Sequence, residues 1–298
     1  MTTDTGVAAD TAVYLYGVAQ DLDPAALRGT AGVAGAPVRG VRAAGLTALV
    51  STVRLEEYGE AALRANLEDL GWLEATARAH HEVVDRAAHA APTAPVRIAT
   101  IYRDDERVAE VLAAQGERFT EVLDLITGRS EWGVKIYADA GVLRGDTGGT
   151  PGGGMGEDVP DSGGGLEPSA ESLTGTTPGG VGTAYLRRRQ QERRRRADAE
   201  RRVAGQADAV HTELADHAVA SRHHPPQDPR LTGRSGVQVL NVAYLLDDDQ
   251  VEGFLEVTRA ARERLPALQV EVTGPWPPYS FIDTSAGHGA ATPGAGER

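Results

Sequence analysis

Ten residues near the C-terminus, Gly274–Asp283 (GPWPPYSFID), constrain the chain more than any other stretch. They hold three prolines, a Trp, a Tyr and a Phe in a chain that is only 5% aromatic. Proline fixes φ and removes a backbone donor. Gly274, Trp276 and Pro277 each precede a proline, which pushes them toward extended backbone. The segment is therefore expected to be a stiff, non-helical strap with little conformational entropy to lose. Two readings of it stay open. Trp276 and Phe281 close a core of the chain's own fold, or the strap is an exposed docking segment, as rigid proline-rich segments often are. Catalysis has little support there, because Asp283 is the strap's one carboxylate and has no obvious partner.

The rest of the chain is long enough for about two domains at 298 residues. Its hydrophobic content of 41% is enough to build cores of that size. A net charge of −13 argues against general affinity for nucleic acid or anionic membranes. There is no cysteine, which excludes a disulfide framework, a thiolate nucleophile and a Cys-ligated metal, and fits a reducing cytoplasm. The N-terminus has no basic region followed by an apolar run, so no signal peptide is expected. No stretch approaches the roughly 18 apolar residues of a membrane span.

Residues 1–11 are small and polar and are expected to be a disordered tail. Ala12–Ala19 (AVYLYGVA) reads as a strand, with Val13 and Leu15 on one face and Tyr14 and Tyr16 on the other. Val38–Ala43 and Leu46–Val53 form a hairpin about Ala44-Gly45. A helix begins at Asn66, with Asp69 as the third residue of a capping box. Leu70, Leu73, Ala77, Val84 and Ala88 mark its apolar face. Val96–Tyr102 is a strand. Asp104 or Asp105 caps a second helix, with one stripe from Val108 to Ile126 closed by Gly128. Trp132–Asp139 is a buried strand.

Residues 141–182 are dominated by Gly, Pro, Ser, Thr and acids and read as a flexible insertion. Its GGGMG stretch is no phosphate loop, since the G-x-x-x-x-G-K pattern is missing. A long helix is expected over Tyr185–Ser221, then a strand at Gly236–Leu246, a helix capped by Asp248 or Asp249, and a half-buried strand at Leu268–Thr273. Strand, long helix, strand, helix, strand is the order of a ferredoxin-like α+β sandwich. The fold expected is α+β with two domains, 12–130 and 131–283, the second ferredoxin-like with a long helix, followed by a loose tail at 284–298.

Chemical motifs are sparse. His80-His81-Glu82 misses H-E-x-x-H because Asp85 stands where the second His should be. His211 and His217 are six apart and share no helical face, and His223-His224 read as loop. There is no G-x-S-x-G. No catalytic, cofactor or metal residue is predicted. The strongest remaining signal is an arginine run. Nine arginines face three acids over Arg187–Arg202, a local charge of +6 that leaves −19 on the remainder. A solvated helix face, an acidic protein partner and nucleic acid are the readings of it, in that order. No aromatic residue is interleaved for base stacking.

Several long stretches, in order, resemble the gas vesicle GvpL/GvpF family. They are YLYGVA, LEEYGEAALRANLEDLGWLEATARAHHEVVDRA, APVRIATIYRDDERV, EWGVKIYAD, GTAYLRRRQQER, VLNVAYLL and VEVTGPWPPYSFID. The resemblance runs from about Val13 to Asp283. It implies two α+β domains, the second a modified ferredoxin-like one. It also implies an accessory protein of the gas vesicle, a gas-filled protein shell, that is not an enzyme and needs no cofactor. The implied role is in shell assembly, with the major shell protein and other accessory proteins as partners, in the cytoplasm and at the gas vesicle. A minor component retained on the finished vesicle is the alternative, and a nucleic-acid-binding or small-molecule-sensing module is the rival. Candidate contact residues are Trp276, Pro277, Pro278, Tyr279 and Phe281 on the strap, and Arg187, Arg188, Arg194 and Arg195 on the arginine run.

Overall fold

The structure, a computed structural model, describes residues 10–144, 179–227 and 236–282. Two four-stranded antiparallel sheets divide the chain. The first is built from β1 (Thr11–Gln20), β2 (Arg39–Ala43), β3 (Leu46–Arg54) and β4 (Thr93–Tyr102), in the order β2-β3-β1-β4. β2 and β3 form the expected hairpin. Ala44 and Gly45 both take positive φ, 52° and 76°, the geometry that matches a two-residue turn to strand twist.

β1 is buried on both faces because helices cover both sides of this sheet. Val13, Leu15 and Val18 face α4 (Asp105–Ala114) and α5 (Gly116–Ile126), where Val108, Leu112, Phe119 and Leu123 complete one core. Tyr14, Tyr16 and Ala19 face α3 (Leu70–Ala88), where Val83, Val84 and Ala87 complete the other. The alternation changes phase between Leu15 and Gly17, at a bulge. Leu15 pairs with Thr100 but Gly17 pairs with Pro95, so β4 loops out at Val96–Ala99.

The helix starts differ from expectation. Asn66 ends a helix rather than beginning one. α1 (Leu55–Tyr58) and α2 (Glu60–Asn66) precede it, and the Asn66 amide donates to the Glu57 carbonyl at 3.0 Å. Asp69 is the N-cap of α3, accepting from the Gly71 and Trp72 amides. Asp104 caps α4 as expected, but the single stripe is broken at Gln115, whose non-helical backbone (φ −119°, ψ 15°) separates α4 from α5. Gly128 has a φ of 68°, the left-handed conformation of a helix-ending glycine.

The second sheet contains β5 (Arg129–Ala138), β6 (Ala220–His223), β7 (Val237–Asp247) and β8 (Leu268–Trp276), in the order β6-β7-β5-β8. With α7 (Gly179–Ala215) between β5 and β6 and α8 (Val251–Arg264) between β7 and β8, this is the ferredoxin-like βαββαβ arrangement. Both helices lie on one face. Val203, Ala207, Val210, Leu214 and Phe254 meet Val134, Ile136, Leu240, Val242 and Tyr244 there. A short helix, α6 (Ala140–Arg144), adds Val142 and Leu143 to this core.

Four boundaries depart from the sequence reading. α7 ends at Ala215, not Ser221, because Ala220–His223 is drawn into the sheet as β6, pairing with β7. His223 is therefore on a strand. α8 is preceded by Gln250 at its N-cap, with no side-chain cap bond, rather than by Asp248 or Asp249. The expected flexible insertion is helical at both ends, in α6 and from Gly179. Its residues 145–178, like the tail 284–298, lie outside the described residues. β1 takes in Thr11, from the expected disordered tail, and the remainder of that tail before Asp10 is likewise outside.

Candidate interaction surfaces

The strap is not uniformly extended. Gly274–Trp276 finishes β8, with a cis Gly274–Pro275 peptide, and Tyr279–Phe281 makes a 3-10 turn. Gly274 has a φ of 138°, and a Cβ there would lie 2.9 Å from the Glu131 carbonyl oxygen and 3.0 Å from the Trp132 ring. Only glycine allows β8 to run so close to β5 at this point.

Beyond β8 the strap crosses between the two sheets. Pro277 and Pro278 are buried. Tyr279 packs into the α3-side core of the first sheet. Phe281 covers Ala243 and Leu245 on the helix-free face of the second sheet. Ile282 joins the α4–α5 core. Between them, the Ser280 amide and hydroxyl donate to the two Glu131 carboxylate oxygens at 2.7 and 2.6 Å. His224 lies 3.1 Å from the Ser280 hydroxyl and, since that hydroxyl's proton is committed to Glu131, serves as donor to it. Burial pushes the Glu131 carboxyl up, and these Ser280 hydrogen bonds pull it part of the way back. Trp276 alone among the strap aromatics is presented to solvent, 44% exposed and edge-on to His81 with ring centroids 5.4 Å apart. The two readings of the strap thus divide by residue: Phe281 closes a core, and Trp276 does not.

Under the strap lies a buried aromatic network. The Ala99 amide donates to the Tyr14 hydroxyl at 3.1 Å, so that hydroxyl's own proton goes to Nδ1 of His80, 3.0 Å away. His80 is 1% exposed, and its Nε2 has no hydrogen-bond partner. Burial holds the imidazole down at about 4, so it stays neutral. The Tyr16 hydroxyl accepts from the Val33 amide and donates to Ser51 at 2.9 Å. Tyr58 stands edge-on to Tyr14 at 5.8 Å, its hydroxyl pushed up to about 12 chiefly by burial. The buried Tyr279 hydroxyl is also without a partner. The signal for His80 was present in the sequence, since it stands three residues after Ala77 and four before Val84 on the expected apolar face, although the buried face is turned so that Leu70 and Ala88 are exposed and Thr76, Val83 and Ala87 are covered. The Glu131–Ser280 contact spans 149 residues and left no local signal.

The arginine run forms the first half of α7. Every side chain from Tyr185 to Arg196 is exposed, and burial begins at Ala199. The helix holds its shape there by its own ion pairs: Arg188 with Glu192 at 3.1 Å, Arg196 with Glu200 at 2.8 Å and Arg201 with Asp198. Arg187, Arg194 and Arg195 have no acidic partner among the described residues. In the second half of the chain His211 lies 2.7 Å from the Tyr244 hydroxyl and stands edge-on to His223, a pairing that α7 and β6 create. Among the described residues no three His, Asp or Glu side chains converge as a metal site requires, and no helix is long and apolar enough to cross a membrane.

Two α+β units, one of them ferredoxin-like, joined by a buried strap and carrying a solvent-exposed arginine helix, define the class of protein. Residues 12–283 match the model of the gas vesicle synthesis protein GvpL/GvpF family, and the chain belongs to that family. Gas vesicle protein L of Streptomyces sp. (strain CB03234) is 38% identical over 268 residues, 90% of this chain and 91% of the relative. Gas vesicle protein F of the same strain is 26% identical over 272 residues, 91% of this chain and 99% of the relative. Crystal structures of GvpF from Anabaena sp. PCC7120 and from Microcystis aeruginosa share the fold, with TM-scores of 0.61 and 0.59 at 17% and 16% identity. Each covers 91% of this chain, and this chain covers 96% and 98% of them.

Proposed function

We propose that this protein takes part in assembling the gas vesicle shell by binding the hydrophobic shell subunit and other accessory proteins, without catalysis. The observation that carries the reading is family membership over nearly the whole chain, together with the one strap aromatic left facing solvent. A very hydrophobic shell subunit must be kept from aggregating before it enters the wall. The Trp276–His81 edge offers it an apolar contact, and the charged first half of α7 keeps a complex soluble. Its working place is the cytoplasm and the growing vesicle.

Co-expression with the major shell subunit tests this directly. The wild type is expected to recover the subunit in stoichiometric amount. Trp276→Ala is expected to lose it while its circular dichroism and melting stay native. A folded wild type that recovers no shell subunit overturns the reading. Pro277→Ala and Pro278→Ala are poor probes of contact, because both prolines are buried.

A further inference from the structure

Charge is separated along the two helices of the second unit. The arginine half of α7 carries +6. Three of its nine arginines are held by acids of the same helix, which leaves Arg187, Arg189, Arg193, Arg194, Arg195 and Arg202 without an acidic partner among the described residues. On a helix of 3.6 residues per turn, Arg187 and Arg194 fall on the face turned away from the Ala199–Val203 line that packs on the sheet, and Arg195 and Arg202 lie on the flank between. They form a stripe about 22 Å long. At its start Tyr185 and Leu186 are 59% and 65% exposed.

The opposite pole lies where α7 ends and α8 begins. The His217 ring there fills the space beside Gly253, within 2.8 Å of where a Cβ would stand. Asp248, Asp249, Glu252 and Glu256 are all exposed at this pole, and none is ion-paired to a described base. Val219, tied through its amide to the Leu245 carbonyl, adds an exposed apolar side chain beside them. From Arg194 to Ala215 is about 30 Å along α7, too far for the two poles of one molecule to meet.

We propose that the arginine face of α7 is a docking surface for a second copy of this chain, seated head to tail on that copy's acidic pole. The chain itself carries the complement that the face lacks, since the remainder of the molecule holds −19. The pairing joins arginines and carboxylates that have no ionic partner among the described residues, and brings Tyr185 and Leu186 against Val219. Two different patches meet, so the contact is heterologous and each pair leaves one pole of each kind free for further copies. The contact is independent of whether the shell subunit binds.

Sedimentation velocity on the full chain tests it. The wild type is expected to exceed the monomer mass at low salt in a concentration-dependent way, and to return to monomer at about 1 M salt, where the screening length is about 3 Å. Two reversal variants divide the interface: Arg187→Glu/Arg194→Glu/Arg195→Glu, and Asp248→Lys/Asp249→Lys/Glu252→Lys. Each alone is expected to be monomeric with native circular dichroism. Mixed, they are expected to associate, because one retains the acidic pole and the other the arginine face. A wild type that stays monomeric at low salt overturns the proposal, whether its arginines then prove to bind duplex DNA or to be neutralised in cis by the acids of residues 146–177. A mixture that stays monomeric while the wild type associates also overturns it.

Discussion

His80 shows how a single residue can couple this fold to pH. Its folded value of about 4 lies below the ordinary 6.5 because burial disfavours the charged ring. Below pH 6.5 the unfolded chain takes up the proton first. The contribution is therefore whole above that pH and is lost as pH falls toward 4, by about 3 kcal/mol in all. Denaturant melts of the wild type and His80→Gln are expected to show that difference in slope between pH 7 and pH 4.5; parallel curves would place the histidine in contact with water. Tyr14 is the second residue of consequence. Tyr14→Phe removes the donor to His80 and the acceptor for the Ala99 amide, and is expected to cost about 1–3 kcal/mol in urea unfolding. Tyr14 and Tyr16 were legible as one face of a strand. That a histidine from 66 residues away would meet them was not.

Among the elements, the strap and α7 each combine a legible local character with an unforeseen placement. Prolines and aromatics marked the strap as stiff, but stiffness does not say which aromatic faces inward. The answer depends on what lies on either side: β5 and His81 leave Trp276 at the surface, and the bare face of the second sheet takes Phe281. Phe281→Ala is expected to lose about 3–5 kcal/mol by urea unfolding, as for a large buried aromatic. Trp276→Ala is expected to stay within about 1 kcal/mol of wild type in the same assay; a larger loss would make its His81 contact structural. α7 was legible from its periodicity, except at its C-terminal end. There, pairing with β7 captures Ala220–His223 as a strand, which a local pattern of Ser, Arg and His does not announce.

At the scale of the whole molecule, three consecutive stretches of strap enter three different cores. Tyr279, Phe281 and Ile282 join the α3-side core, the second sheet's open face and the α4–α5 core in turn. Glu131 and Ser280 lock the crossing with two charge-assisted hydrogen bonds. The two units are therefore expected to unfold together. A chain ending after Trp276 is expected to replace one calorimetric transition by two, with the first at a lower temperature. A single transition in the truncated chain would assign the coupling to another contact.

Most of the order of helices and strands, the succession of strand, long helix, strand, helix and strand in the second unit, and the likeness to the GvpL/GvpF family follow from the sequence by itself, while α1, α2, α6 and β6 do not. Those that do rest on periodicity, proline and glycine placement or contiguous motifs, which are properties of neighbours along the chain. Tertiary structure alone decided that His80 meets Tyr14, that Glu131 receives Ser280, that Phe281 is covered while Trp276 is not, and that the arginines of α7 stand apart from the acids of α8. Those outcomes depend on which surfaces meet across long sequence separations, and burial and charge pairing are set by that meeting.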